Sequence, residues 1–150
     1  MADQEVMLER LLDAPLERVF RAWIDPAQLK QWWGPHGFTN PVCEVDAKVG
    51  GKMRVVMRGP DGTDYPMSAT FRAIEPNRRL VFVAVAEDAA GDALLESFTE
   101  VLFEAQGAKT RLTVKASAVG LAPVAAQMLR GMEEGWSGSL DRLAALVTHA

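Results

Sequence analysis

The spacing of apolar positions changes character twice along the chain. Residues 4–13 fit a strand or a helix by periodicity alone. They are read as a strand because Ala14-Pro15 ends the run and a clearer helix follows. Pro15 suits a first helical position, where its missing N–H costs nothing, and Glu17 favours the positive helix end. Leu16, Val19, Phe20 and Trp23 then recur at helical spacing. Asp25-Pro26 repeats the cap-plus-proline signal and starts a second short helix through Leu29 and Trp32. Gly34-Pro35-His36-Gly37 stops it.

Beyond this point strand-like runs follow one another: 39–46, 52–58, 65–74, 79–85, 94–104 and 110–118. Between them lie Gly50-Gly51, Gly59-Pro60-Asp61-Gly62, Pro76-Asn77, residues 88–92 and Gln106-Gly107. Such short turns join consecutive strands antiparallel, since a parallel pair needs a long crossover. Alternation supports a meander. Thr110, Leu112, Val114 and Ala116 fall on one face of the last strand, with Arg111, Thr113 and Lys115 on the other. Thr99, Val101 and Phe103 likewise oppose Glu100, Leu102 and Glu104, so one face is buried and one wet.

The second change comes at residues 121–147, the strongest helical pattern. Met128, Met132, Trp136, Leu140, Leu143 and Val147 form one stripe, and Arg130, Glu133, Glu134, Asp141 and Arg142 lie off it. An unbroken helix of that span would be roughly 40 Å long. Its stripe needs an apolar partner, and the sheet's buried face is the large one available.

Composition narrows the function classes. At 150 residues, with 49% hydrophobic and 24% charged, residues 1–150 are expected to form one ordered domain. A net charge of −4, with basic residues scattered singly apart from Arg78-Arg79, argues against nucleic acid as a partner. Cys43 is the only cysteine, so no intramolecular disulfide forms. The start of the chain lacks the pattern of a secretory signal, and the longest apolar run, residues 80–86, is too short for a membrane span. A cytoplasmic location is expected.

Several segments, in order, resemble a known family. They are Ala14-Pro15 with Val19-Phe20-Arg21-Ala22-Trp23, Trp32-Trp33-Gly34-Pro35-His36-Gly37-Phe38, and Gly50-Gly51. Ile74-Glu75-Pro76-Asn77-Arg78-Arg79-Leu80-Val81-Phe82 and residues 134–143 (Glu134 to Leu143) complete the set. Together they resemble bacterial SRPBCC domains, in the branch named after the C-terminal domain of the activator of heat-shock protein 90 ATPase homologue. The resemblance implies the α+β helix-grip fold of START-like and Bet v-like proteins. That fold has a curved antiparallel sheet of about seven strands, two short N-terminal helices and one long C-terminal helix. It also implies a cavity between sheet and long helix that holds apolar small molecules, with no universal catalytic residues.

The candidate ligand-binding set on this register is Trp33, Phe38, Met53, Met57, Phe71, Phe82, Val101, Phe103, Met128, Met132 and Trp136. Its bland alternative is a filled core. The methionines favour a tolerant cavity, because their flexible thioether chains adapt to varied apolar shapes. Trp136 reads first as packing. Gly135 and Gly138 beside it each cost about 1 kcal/mol against Ala in a helix, which close approach to sheet or ligand would offset. Trp32 and Trp33 are adjacent and cannot both face one core from a helix, so one is expected to be half exposed, and Phe38 could join it.

His36 reads as a surface loop residue rather than a general base, and His149 is expected to be disordered. Glu96, Glu100 and Glu104 share the wet strand face. Glu44 and Asp46 are either outward or a polar anchor for the cavity. Two His and one Cys without ligand spacing argue against a metal, and no Gly-rich phosphate loop, Gly-x-Ser-x-Gly elbow or Walker motif points to a cofactor.

Binding of a small apolar ligand, lipid-like or aromatic and polyketide-like, is the leading expectation. The alternatives are an enzyme of cyclase or hydrolase type in the same cavity and a chaperone-interacting, stress-related protein. The family's namesake makes much of its chaperone contact through a separate N-terminal domain, for which this sequence leaves no room. A homodimer is compatible with the sequence.

Overall fold

The protein is described by a computed structural model covering residues 2–148. His149 therefore lies outside the described residues. In chain order the elements are β1 (Gln4–Leu12), α1 (Leu16–Ile24), α2 (Pro26–Trp32), β2 (Thr39–Val45), β3 (Lys52–Arg58), β4 (Asp64–Glu75), β5 (Arg79–Glu87), β6 (Ala93–Gln106), β7 (Lys109–Gly120), α3 (Ala125–Arg130) and α4 (Met132–Thr148). The seven strands form one curved antiparallel sheet in the order β1-β7-β6-β5-β4-β3-β2. Strands β2 to β7 are the expected meander, and the first strand closes the sheet by pairing with the last, Gln4 opposite Ala118 through Leu12 opposite Thr110. This is the α+β helix-grip arrangement.

The turns explain the register. Between β2 and β3, Gly51 is pinned by its N–H donating to the Lys48 carbonyl at 2.8 Å, and its own carbonyl accepts from Phe71 N at 3.0 Å. A Cβ on Gly51 would overlap the Asp46 carbonyl oxygen, so only glycine lets the chain fold this tightly. Strand alternation then decides burial: Val55, Val101, Leu112 and Val114 are fully buried, while Glu96 and Glu104 are exposed. Glu100, on the same outer face, binds Arg79 Nε at 2.6 Å.

One expected element differs. The helical stretch at 121–147 is not a single rod but two helices that meet at Gly131. Gly131 has φ −89 and ψ 0, and its N–H reaches the carbonyls of both Gln127 and Leu129, which ends α3. Glycine is the weakest non-proline helix former, and its conformational freedom places the break there. The bend lets α3 lie over the end of β7, where a Cβ on Gly120 would meet Ala125 Cβ at 3.0 Å. The remaining long helix, α4, has 17 residues and is about 25 Å long.

The apolar stripe is divided by this arrangement. Leu140, Leu143 and Val147 are buried in the common core with Leu12, Val19, Leu29 and Leu112. Met128, Met132 and Trp136 remain partly exposed. Leu143, at 0% exposure, is the anchor of the packed half. Leu143→Ala should cost about 2–5 kcal/mol, the usual range for a buried leucine whose cavity cannot collapse. Urea melts of the two proteins check this, and a difference below about 1 kcal/mol would show that α4 is not seated as described.

Candidate ligand cavity

The site begins where α2 ends. Asp25 Oδ1 accepts from Ala27 N at 3.0 Å and Pro26 occupies the first turn, so the helix starts firmly. It stops at Trp32, and Trp33 is already extended, with φ −65 and ψ 132. The two neighbouring indoles therefore diverge. Trp32 turns into the α1–α2 packing, where its Nε1 donates to the Ala22 carbonyl at 3.0 Å. Trp33 turns toward Phe82 and Trp136, with ring centroids at 6.3 and 5.5 Å. Both are buried, at 0% and 8% exposure, which corrects the expectation that one would be half exposed. The helical geometry behind that expectation does not extend to Trp33.

The loop that follows is held against α4. Gly34 has φ +94, a left-handed conformation suited to glycine, and a Cβ there would stand 2.9 Å from Met57 Sδ. Its N–H donates to Ser139 Oγ at 3.0 Å. The Arg142 guanidinium donates to the carbonyls of Gln31, Trp33, Gly34 and Pro35 at 2.9 to 3.1 Å. Burial lowers its pKa from the usual arginine range, yet the group stays charged, as arginine does in proteins.

Between this loop, α3–α4 and the sheet lies a cavity of about 250 Å³. Its floor is made by short side chains on adjoining strands. Ala84 and Ala86 on β5 and Ser97 and Thr99 on β6 line it, and Ala84 pairs directly with Ser97. Trp33 and Trp136 form one wall at an interplanar angle of 77°, and Met128 and Met132 form another. Met57 and Tyr65 stand at the rim, Tyr65 being 40% exposed. Among the described residues, no Asp, Glu, His, Lys or Arg side chain lines it.

Of the eleven expected residues, Trp33, Met57, Phe82, Met128, Met132 and Trp136 lie on this cavity. Met53, Phe71, Val101 and Phe103 are buried behind its walls. Phe71 meets Phe82 edge-on at 6.2 Å, and Phe103 packs between Phe20 at 5.1 Å and Trp23 at 6.3 Å. Phe38 sits outside, against Tyr65 at 5.9 Å. Sequence reasoning sought large apolar residues and so passed over Ala84, Ala86, Ser97 and Thr99. The signal was available: small residues at inward positions of paired strands leave unfilled space.

Other candidates fall away from the cavity. Glu44 and Asp46 are exposed, which settles their orientation outward, and Cys43 packs against the core. Burial pushes the Cys43 thiol up to about 11, so it is not a nucleophile at neutral pH. His36 Nε2 lies 3.7 Å from Asp141 Oδ2, a carboxylate not paired with it from the sequence, but both side chains are more than half exposed. No group of three or more His, Cys, Asp or Glu among the described residues could hold a metal ion. No described helix is long and apolar enough to cross a membrane. A surface furrow of about 500 Å³ runs along Glu17, Arg18, Arg21 and Gln28, so most of its lining residues are charged or polar.

Gly135 and Gly138 face the 33–38 loop rather than the sheet. A Cβ on Gly138 would meet Pro35 Cα at 3.4 Å, and one on Gly135 would meet Pro35 Cγ at 3.9 Å. Neither contact is a clash.

A seven-stranded sheet gripping a C-terminal helix around an apolar cavity defines a START-like, helix-grip protein. The chain belongs to the family described as Activator of Hsp90 ATPase homolog 1-like protein, whose pattern matches residues 13–148. No protein of curated function matches it. Among solved structures, it is similar to a protein of Chromobacterium violaceum, 29% identical, with 97% of each chain covered and a TM-score of 0.81. It is also similar to a protein of Arthrobacter aurescens, 29% identical over 97% of this chain and 87% of that one, at a TM-score of 0.85. The AHSA1 protein of Silicibacter pomeroyi, 29% identical over 94% and 95% of the two chains, gives 0.79.

Two outcomes follow from the local geometry. Gly135→Ala should raise stability by about 0.5–1 kcal/mol, because the methyl has room and alanine is the better helix former. A loss of stability in a urea melt would show that the helix needs glycine for approach. For Cys43, the folded thiol ionises near 11 against an ordinary value of 9.0. Its contribution to stability is therefore full below pH 9 and is lost as pH rises from 9 toward 11. The stability gap between wild type and Cys43→Ala should shift against the wild type over that window, and an unchanged gap would show that the thiol is solvated.

Proposed function

We propose that this chain binds a small apolar molecule in the cavity between α4, the 33–38 loop and the sheet, and performs no chemistry on it. The observation that carries this is a 250 Å³ space with an apolar wall and no charged side chain, in a fold otherwise packed to completion at its other end. Cavities that receive small ligands are mostly apolar, with a few polar groups that set orientation. Here Ser97, Thr99 and Ser139 supply those groups.

The enzyme alternative gains no support from the lining. Acid–base chemistry needs an ionisable group within hydrogen-bond reach of the reacting atom. Apart from Tyr65 at the rim, the described lining offers none. A chaperone-interacting role rests on the family's name alone.

A thermal-shift screen of aromatic polyketides, flavonoids and fatty acids tests the proposal. A ligand at 100 times its dissociation constant stabilises a fold by about 2.7 kcal/mol. Ala84→Leu is the control, since it fills the floor where Ala84 now lines the space. It should keep the fold and abolish the shift produced by any hit. A panel without a single hit, together with native mass spectrometry of the host-purified protein showing no bound small molecule, would sink the reading.

A further inference from the structure

Resting on the binding reading above, we infer that the occupant is neutral and flat: an aromatic molecule of about two fused rings carrying one hydroxyl or carbonyl group. Carboxylates and long flexible chains are selected against.

Charge comes first. An ion entering this cavity would leave its water and meet no opposite charge on the lining. Arg142, Arg54 and Arg58, on the elements around it, are engaged elsewhere. Arg142 is spent on four carbonyl oxygens on the far side of the loop. Arg54 binds Glu87 at 2.6 Å and Arg58 binds Asp64 at 2.7 Å. The positive end of α4, beside Met132, is answered by Glu133 and Glu134 in its own first turn. The carbonyls that end α3 adjoin it. On the lining, neither a carboxylate nor an ammonium ion finds a partner.

Shape comes second. A cavity of ~150 Å³ is enough to hold benzene. At about 250 Å³, this one has room for a second ring, and a longer molecule would extend past its open rim. Trp33 and Trp136 meet at 77° with centroids 5.5 Å apart, forming a corner that presents one ring face and one ring edge. Aromatic ligands fit such a corner in stacked and edge-on contact. Met57, Met67, Met128 and Met132 place four thioethers on the same space, and sulfur packs well at ring edges.

Polarity comes third. Ser97 and Thr99 project from β6 into the floor, and a hydroxyl can both donate and accept. Thr99, at 1% exposure, lies deepest. Ser139 Oγ already accepts from Gly34 N. One hydroxyl or carbonyl on the ligand's inner end matches the Ser97–Thr99 pair.

The test is a tryptophan-fluorescence and calorimetric titration at neutral pH with five probes: 2-naphthol, naphthalene, 2-naphthoate, 1-dodecanol and dodecanoate. The expected order places 2-naphthol at least ~10-fold tighter than 2-naphthoate, because only the latter must bury a charge. It also binds at least ~10-fold tighter than 1-dodecanol, whose neutral chain offers no ring to the Trp33–Trp136 corner, and than dodecanoate, which adds a charge. Ser97→Ala/Thr99→Val, which keeps the floor's shape and removes its hydroxyls, should weaken 2-naphthol ~5-fold or more, the effect of about one lost hydrogen bond. Naphthalene should be unaffected. If 2-naphthoate, 1-dodecanol or dodecanoate binds as well as 2-naphthol, or the double variant weakens both naphthalene and 2-naphthol equally, the inference is overturned while ligand binding stands. Silence of all five probes, with the wider panel and native mass spectrometry also showing no bound molecule, would instead overturn the binding reading on which it rests.

Discussion

The cavity end of the fold is held by a charge-assisted clasp. Helix α2 ends with carbonyl groups that no further turn can satisfy, and unpartnered carbonyls near a core are costly. Asn40 Nδ2 donates to the Lys30 and Trp33 carbonyls at 2.8 and 2.9 Å, and Arg142, from the opposite end of the chain, donates to Gln31 at the helix end and to Trp33, Gly34 and Pro35 in the loop that follows. A planar guanidinium can serve several oxygens at once, which a lysine ammonium on a flexible stem does less well. Ser139 adds a second tie through Gly34 N. Because these bonds are directional, they fix the loop's height above the sheet, and Trp33 with it. Asn40, Arg142 and Ser139 together hold the wall opposite β5 and β6.

The clasp also explains why the aromatic residues form one group. Trp23 meets Trp32 at 4.6 Å, and Trp136 bridges Trp23 at 6.1 Å and Trp33 at 5.5 Å. All four tryptophans of the chain thus belong to one contiguous cluster running from α1 to the cavity. Trp23 Nε1 has no hydrogen-bond partner within that cluster. Its cost is borne by the large apolar area that the indoles bury together. Trp136 is therefore both packing and wall: one of its faces completes the cluster and the other meets open space.

Periodicity made the strands legible because the sheet is wet on one side, so each residue's face is written in its polarity. Lys52–Arg58 is found where the pattern places it, and the glutamates of β6 lie outside as alternation requires. The break at Gly131 was less legible, because Met128, Met132 and Trp136 keep helical spacing across it. Period alone does not reveal where a helix bends when the residues on both sides point into the same space. Trp33 was misjudged for a related reason: one residue past the helix end, backbone dihedrals replace helical geometry. The cavity itself was half legible. Its large walls carry a hydrophobic signal, whereas its floor consists of side chains too short to carry one. Ala84 opposite Ser97 becomes informative only once the strand register is known.

That floor sets how much stability the cavity costs. Replacing Ala84 or Ser97 by larger apolar residues would let the sheet meet α3 and α4 directly. At about 24 cal/mol per Å³, the loss associated with a sealed void of 250 Å³ reaches about 6 kcal/mol, an upper bound here because the rim is open. The other half of the fold offsets this. Leu140, Leu143, Val147, Leu29 and Val19 are buried to 1% exposure or less around the α1–α2–α4 junction. A fold with one end closed tightly can leave the other unfilled and still hold its walls in place. The division falls within α4, between Trp136 and Ser139, where the helix passes from cavity wall to core. The clasping residues Ser139 and Arg142 sit at that boundary, so the same turn that ends the open space also anchors the loop that covers it.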